Sequence, residues 1–231
     1  MNRMTFRVLT YAAITAAVVG GMSSCFAFQD DRTRTVGYGV PEAVRTLVIE
    51  GGTGDIRVVG GGTGVQVTER QTYRSTPPAT THSTVGDTLT LGYTCPDGDC
   101  GVGYEVEVPA GTEVRVKDGT GDVHLSGLSG RVEAKSGTGS IEAKRMSGTE
   151  VSLSTSTGDV SAVFTARPET LAATSSTGSI TVKVPDQDQD PYAVAAKTDT
   201  GKTTVTVGQR AGAKHRITAQ TDTGDVTVTG V

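Results

Sequence analysis

The stretch Lys135 to Ala143, KSGTGSIEA, decides the fold, because versions of it recur along the second half of the chain. They read DGTGDVHL from Asp118, STGDVSA from Ser156, STGSITV from Ser176, DTGKTTV from Asp199 and DTGDVTV from Asp222. The Thr-Gly glycines are Gly121, Gly139, Gly158, Gly178, Gly201 and Gly224, separated by 18, 19, 20, 23 and 23 residues. A period near twenty is the mark of a stacked-repeat architecture. Two and four residues after these glycines come Val123/Leu125, Ile141/Ala143, Val160/Ala162, Ile180/Val182, Thr203/Val205 and Val226/Val228. Seven and five residues before them come Val114/Val116, Val132/Ala134, Val151/Leu153, Leu171/Ala173, Val194/Ala196 and Ile217/Ala219. Alternation on both sides of a tight turn predicts two half-buried strands per repeat. Thr203 is the one polar residue in this inward set.

Working outward, composition fits a thin core. Of 231 residues, 31 are Gly, none is Trp, hydrophobic residues make up 35% and aromatics 4%. The chain is too apolar and too patterned for a disordered tail. The net charge is −4, and −6 once Arg3 and Arg7 are removed with residues 1–24. An acidic surface argues against nucleic acid, whose phosphates need clustered Lys and Arg. Charges such as Arg131, Glu133 and Lys135 alternate along strands and read as a solvated outer face.

Residues 1–24 read as an export signal: Arg3 and Arg7, then an apolar run from Val8 to Gly21, then Met22-Ser23-Ser24-Cys25. The run of about fourteen residues is shorter than the roughly 20 of a spanning helix. The ending resembles a bacterial lipobox, with Met22 in place of the usual Leu and Cys25 as the lipidated residue. The alternatives are cleavage after Ala27 and an uncleaved anchor. Residues 25–44 read as a lipid-bearing tether and residues 45–231 as one domain. Two irregular copies around Gly54 and Gly64 predict a tight hairpin at the first end of the repeat array, where atypical, capping units are expected. Tyr73 to Thr84 reads as a surface loop. Thr88–Leu91 and Tyr104–Val108 flank TCPDGDC, whose Pro-Asp-Gly is a turn signal, and are expected to pair as a hairpin. With Cys25 lipidated, Cys95 and Cys100 form a disulfide by default in an oxidising compartment. Two sulfurs without a nearby His pair do not make a structural zinc site. The Thr-Gly corner is constant and the opposite one varies (Arg145–Thr149, Thr165–Glu169, Pro185–Pro191, Gly208–Lys214), which makes the variable corner the expected contact face.

Several motifs are set aside on chemistry. GGTGD at Gly51 precedes no helix pattern that could bring a positive N-terminus to a phosphate. The repeats do not match the calcium-binding nonapeptide, since the Asp is one place early and the period double. Asp186, Asp188 and Asp190 begin like a calcium loop, but Pro191 stands where Gly is needed and Lys197 where Glu is needed, so a solvated acidic loop is expected. His82, His124 and His215 have no metal or triad spacing, and no nucleophile elbow is present. The turn glycines, Gly54 among them, are expected to need positive φ. The threonines before them are expected to stack into a structural ladder of hydroxyls.

The lipobox-like MSSC, the early hairpin, the Cys-bearing segment followed by EVEVPAG and the tandem T-G-[DS]-[VI] units together resemble bacterial putative-adhesin lipoproteins. The resemblance covers about Arg45 to Val231. This chain has Thr-Gly where many members have Asn-Gly, and Lys202 where Asp or Ser is usual. The resemblance implies a β-solenoid outside the membrane with no known active site. The expectation is an all-β solenoid of about 20-residue repeats with two short strands per coil. An antiparallel meander or sandwich is the alternative. The expected function is a non-enzymatic envelope module, adhesin-like, at the outer face of the membrane, without metal or cofactor. An envelope sensor acting through a protein partner, or a carbohydrate-active β-helix enzyme with converging carboxylates, are the other readings. The last repeat, Asp225 to Val231, is expected to be an open edge able to pair with another copy or an envelope partner.

Overall fold

The computed structural model describes residues 31–186 and 190–231. Cys25 and the export segment lie outside the described residues. In the first part of the chain the strands are β1 (Arg32–Val40), β2 (Thr46–Glu50), β3 (Ile56–Gly60), β4 (Val65–Tyr73), β5 (Ala79–Val85), β6 (Thr88–Thr94) and β7 (Cys100–Val108). The regular copies give β8 (Glu113–Thr120), β9 (Val123–Ser126), β10 (Val132–Thr138), β11 (Ile141–Met146), β12 (Glu150–Thr157), β13 (Val160–Phe164), β14 (Thr170–Thr177) and β15 (Ile180–Val184). The final two copies give β16 (Tyr192–Thr200), β17 (Thr203–Val205), β18 (His215–Thr223) and β19 (Val226–Gly230).

These strands form a β-solenoid of two sheets. One runs β1-β4-β7-β3-β9-β11-β13-β15-β19-β17 and the other β16-β18-β14-β12-β10-β8-β2-β6-β5. Each coil contributes one strand to each sheet and pairs in parallel with its neighbours, at the roughly 4.8 Å strand spacing. Register holds the repeat frame throughout: Val132 faces both Val114 and Val151, and Ile141 faces both Val123 and Val160. The inward residues therefore stack in rows between the sheets. All of them are buried except Val194, Ala196, Thr203 and Val205, the four that belong to β16 and β17. Burying an Ile or Leu in such a row stabilises by about 1.5–3 kcal/mol.

Spatial order departs from chain order at both ends. The β18/β19 coil lies between the β14/β15 coil and the β16/β17 coil. The C-terminal strand β19 is thus paired on both sides and is not the open edge expected of it; the edge strands at this end are β16 and β17. The reason is chemical. An interior coil needs an apolar residue two places after its corner glycine, and Val226 is 0% exposed there, whereas Thr203 of the outermost coil is exposed.

At the other end the β2/β3 coil docks directly on β8/β9, and β6/β7 lies outside it. The hairpin expected around Gly54 and Gly64 does not form, because β7 inserts between β3 and β4. The stretch expected to be a loop carries β5, antiparallel to β6. The expected tether carries β1, antiparallel to β4. β5 is polar on both faces, and β1 alternates only over its last five residues, at Val36, Tyr38 and Val40, too briefly to mark a strand. β6 and β7 belong to opposite sheets, and the Cys95–Cys100 segment is the corner between them rather than a hairpin turn. Its disulfide spans a Cα–Cα distance of 5.5 Å. Tyr38 of β1 lies 4.8 Å from the ring of His82 of β5, where the two sheets meet at this end.

Candidate interaction surface

The constant corner is built from three ladders that follow the spatial order of coils. The first is the glycines. Gly54, Gly121, Gly139, Gly158, Gly178, Gly201 and Gly224 all have positive φ, between 133° and 152°. Gly139 shows the second constraint: a Cβ there would lie 2.0 Å from the Gly121 carbonyl oxygen. Both the dihedral and the close stacking of backbones exclude a side chain.

The threonines before the glycines stack in register as expected, and a second hydroxyl ladder, the one that bonds the corner, lies three residues before each glycine. Thr120, Thr138, Thr157, Thr177, Thr200 and Thr223 are exposed. The hydroxyls of buried Ser136, Thr155, Ser175 and Thr221 and of half-buried Thr198 donate to the carbonyls of Gly121, Gly139, Gly158, Gly178 and Gly224, at 2.8–3.4 Å. Each satisfies a carbonyl that the tight corner turns inward. Asp118 occupies this position in the β8 coil and is 5% exposed. Its Oδ1 occupies the space left by the absent side chain of Gly51, where a Cβ would be only 2.3 Å away. Neither carboxyl oxygen has a hydrogen-bond partner of good geometry. Burial pushes the carboxyl up to about 6, partly offset by the Gly119 N–H, with Asp55 adding repulsion.

The third ladder explains why Asp or Ser follows the glycine. Asp55 accepts from the N–H of Asp122 at 3.0 Å, Asp122 from Ser140 at 2.8 Å and Ser140 from Asp159 at 3.3 Å. Asp159 accepts from Ser179 at 2.7 Å, Ser179 from Asp225 at 3.2 Å and Asp225 from Lys202 at 2.8 Å. Each side chain caps the N–H of the next coil outward. Lys202 belongs to the outermost coil, with no further N–H to cap, so an acceptor is not required there.

The variable corners carry a packed cluster where the chain leaves β15 and steps past the interposed coil to β16. Arg167 has its side chain 11% exposed. It donates to the Pro185 carbonyl at 3.2 Å and to the Asp190 carbonyl, and its guanidinium lies 4.2 Å over the Tyr192 ring. Tyr192 donates its hydroxyl to Pro185 O at 2.6 Å. Burial pushes that hydroxyl up to about 12, with Arg167 opposing and Asp186 and Asp190 adding to the rise. The ring nitrogens of His215 lie 2.7 Å from Pro168 O and 3.2 Å from Asp190 Oδ2. Asp186 accepts from the Gly208 N–H at 3.2 Å. Asp186 and Asp190 stay largely solvated, as expected of an acidic loop, yet also tie corners together; Asp188 lies outside the described residues. Among the described residues, no three His, Cys, Asp or Glu are grouped to hold a metal. His124 pairs with Glu142 at 3.3 Å on an outer face.

Sequence reasoning missed a second buried polar group, at the other end. Glu69 is 1% exposed and accepts from Tyr38 at 2.8 Å and Gln71 at 3.0 Å. Burial and the Glu69 charge raise the Tyr38 and Tyr104 hydroxyls well above the usual phenol range. The signal was the run Val65, Val67, Glu69, Gln71, one alternating face that turns from apolar to polar.

Beside the variable corner Gly208–Lys214 lies an open groove of about 440 Å³, lined by Tyr192, Ala193, Ala195, Arg210, Arg216 and Thr218 among others. It runs along the outer side of β16, where Ala193 and Ala195 leave room and two arginines flank it.

A family model described as Toastrack DUF4097 matches residues 40–229. A search of curated proteins gives no significant match. Among solved structures, a "putative cell adhesion protein" from Clostridium sporogenes ATCC 15579 superposes with a TM-score of 0.53 at 11% identity, over 87% of this chain and 100% of that one. A "putative adhesin" from Bacteroides fragilis NCTC 9343 is 14% identical over 87% of this chain and 97% of that one, with a TM-score of 0.40. At 11% identity the likeness to the Clostridium sporogenes protein is one of fold.

Proposed function

The chain belongs to the Toastrack DUF4097 family, and from that premise we propose that it is a non-enzymatic, adhesin-like module of the cell envelope. In this reading Cys25 carries the lipid that holds it at the outer face of the membrane. The solenoid then presents its sheets and variable corners to envelope components. The observation that carries the reading is a solenoid with a disulfide-closed corner, whose outer charged side chains neutralise one another within and between coils. Glu133 pairs with Lys135 at 2.7 Å, Glu142 with Lys144 at 2.6 Å and Glu150 with Arg131 at 2.7 Å. A glycosidase acid needs a raised pKa and access to substrate. Asp118 has the first but is enclosed within the coil stack. The disulfide supports an oxidising compartment, and two acyl chains on Cys25 would give a durable anchor.

The test is fractionation of cells expressing the full chain and Cys25→Ala. Wild type is expected to pellet with membranes after a salt wash and the variant to be released. A variant that still pellets would refute the anchor. Mass analysis that finds two free thiols at Cys95 and Cys100 in exported protein would refute the disulfide and remove its support for an oxidising compartment.

A further inference from the structure

The edge strand β16 carries an inference about the partner. Tyr192 donates its N–H to Gly208 O at 2.9 Å and accepts from the Arg210 N–H at 3.0 Å. The segment Gly208–Arg210 thus adds to the first residue of β16 as a short parallel bridge, on the side away from β18. In a parallel ladder alternate residues turn both backbone groups to the same side. Val194 and Ala196 share the facing of Tyr192, so their N–H and C=O groups point out along this edge, where no strand follows among the described residues.

Three further observations describe what would complete it. Val194 and Ala196 are half-buried, while the inward residues one coil further in, Ile217 and Ala219, are 1% and 0% exposed; the core is open on this side. On the outer side, the groove beside β16 is flanked by Arg210 and Arg216. Neither arginine makes an ion pair among the described residues. At the opposite end of the solenoid the outermost strands β1 and β5 are antiparallel additions, with Tyr38 and His82 in contact between the sheets.

We propose that the free edge of β16 is a docking site for an extended strand of a partner polypeptide that alternates apolar and acidic side chains. The strand continues the addition begun by Gly208–Arg210. Its backbone pairs with Val194 and Ala196, its apolar side chains cover the open core, and its carboxylates meet Arg210 and Arg216. Main-chain pairing supplies affinity and the alternating side chains supply selectivity. This rests on the binding-module reading above and names the partner class for it.

The experiment measures binding of fluorescein-labelled nine-residue peptides, alternating Val-Glu or Val-Lys, to the full chain in detergent by anisotropy. The Val-Glu peptide is expected to bind at least tenfold more tightly than Val-Lys. Arg210→Ser with Arg216→Ser is expected to remove that preference. Ala196→Pro deletes an outward N–H without touching the ladder to β18, a change edge strands tolerate, and should abolish binding while Ala196→Ser retains it. As a check that needs no variant, two Val-Glu peptides are N-methylated on alternate residues, each on one of the two sets. One should lose binding and the other keep it. Absence of binding at millimolar peptide, equal binding of Val-Glu and Val-Lys, or indifference to both methylation patterns would each overturn the proposal. So would a wild-type dimer that Ala196→Pro dissociates, since the occupant would then be a second copy. Fractionation and thiol analysis test the parent reading separately, so the two can fail independently.

Discussion

Replacing Asp118 with Asn tests the hydroxyl ladder and the electrostatics of the coil stack in one measurement. The carboxyl is 5% exposed, so solvent does little to screen it. Burial raises its pKa from the ordinary 3.8 to about 6. The raised native value means that the folded state disfavours the charged form. Stability is therefore fully present below pH 4, where both states are protonated, falls as pH rises from about 4 to 6, and levels off above that. At 1.36 kcal/mol per pKa unit the loss amounts to about 3 kcal/mol by pH 7. Asn has nearly the same shape, stays neutral, and can donate to the Gly54 carbonyl, the one that the ladder presents to this position. Relative to wild type, Asp118→Asn should gain little at pH 4 and up to about 3 kcal/mol at pH 7–8. At 2–4 °C per kcal/mol for a chain of this size, that is about 6–12 °C in Tm. The assay is urea or thermal unfolding of both proteins from pH 4 to 8. Other titrating groups move the two curves together, so the difference isolates Asp118. A difference that stays flat across that range would refute the argument.

The capping ladder predicts an asymmetry between like positions. Asp159→Ala should cost about 1 kcal/mol because the Ser179 N–H loses its acceptor, whereas Lys202→Ala, with no coil beyond it, should stay within about 0.5 kcal/mol in urea unfolding. Ile141→Asp should cost several kcal/mol by burying an unpaired charge between the sheets, and Glu142→Asp on the outer face less than about 0.5 kcal/mol; comparable losses would mean the facing is wrong. Gly139→Ala introduces a Cβ against the Gly121 carbonyl at a φ of 136°, so limited proteolysis should find it largely unfolded.

The repeat frame was legible because every coil solves the same problem. It needs a glycine with positive φ, apolar residues at fixed offsets and a short acceptor after the turn, and each requirement prints one residue type at one place. That sameness is also why the order of the coils was hard to read. Any coil in this frame can dock on any other, and chain order is only the default. What selects the observed order lies in the exceptions. Thr203 and Lys202 break the pattern in one copy, which the structure places outermost. Thr203 is tolerated where no further coil encloses it, and Lys202 where no N–H waits beyond it. Gly51 and Asp118 are a matched exception, a missing side chain beside an enlarged one, at the junction where residues 46–60 dock on the regular repeats. β1 and β5 were not legible because edge strands need little alternation: ATTHSTV is polar throughout, and RTRTVGYGV alternates only at Val36, Tyr38 and Val40. Departures from the repeat therefore carry the topology, and they do so through the neighbour that each departing residue lacks. The same logic identifies β16 as the place where the solenoid ends with its pairing capacity unused.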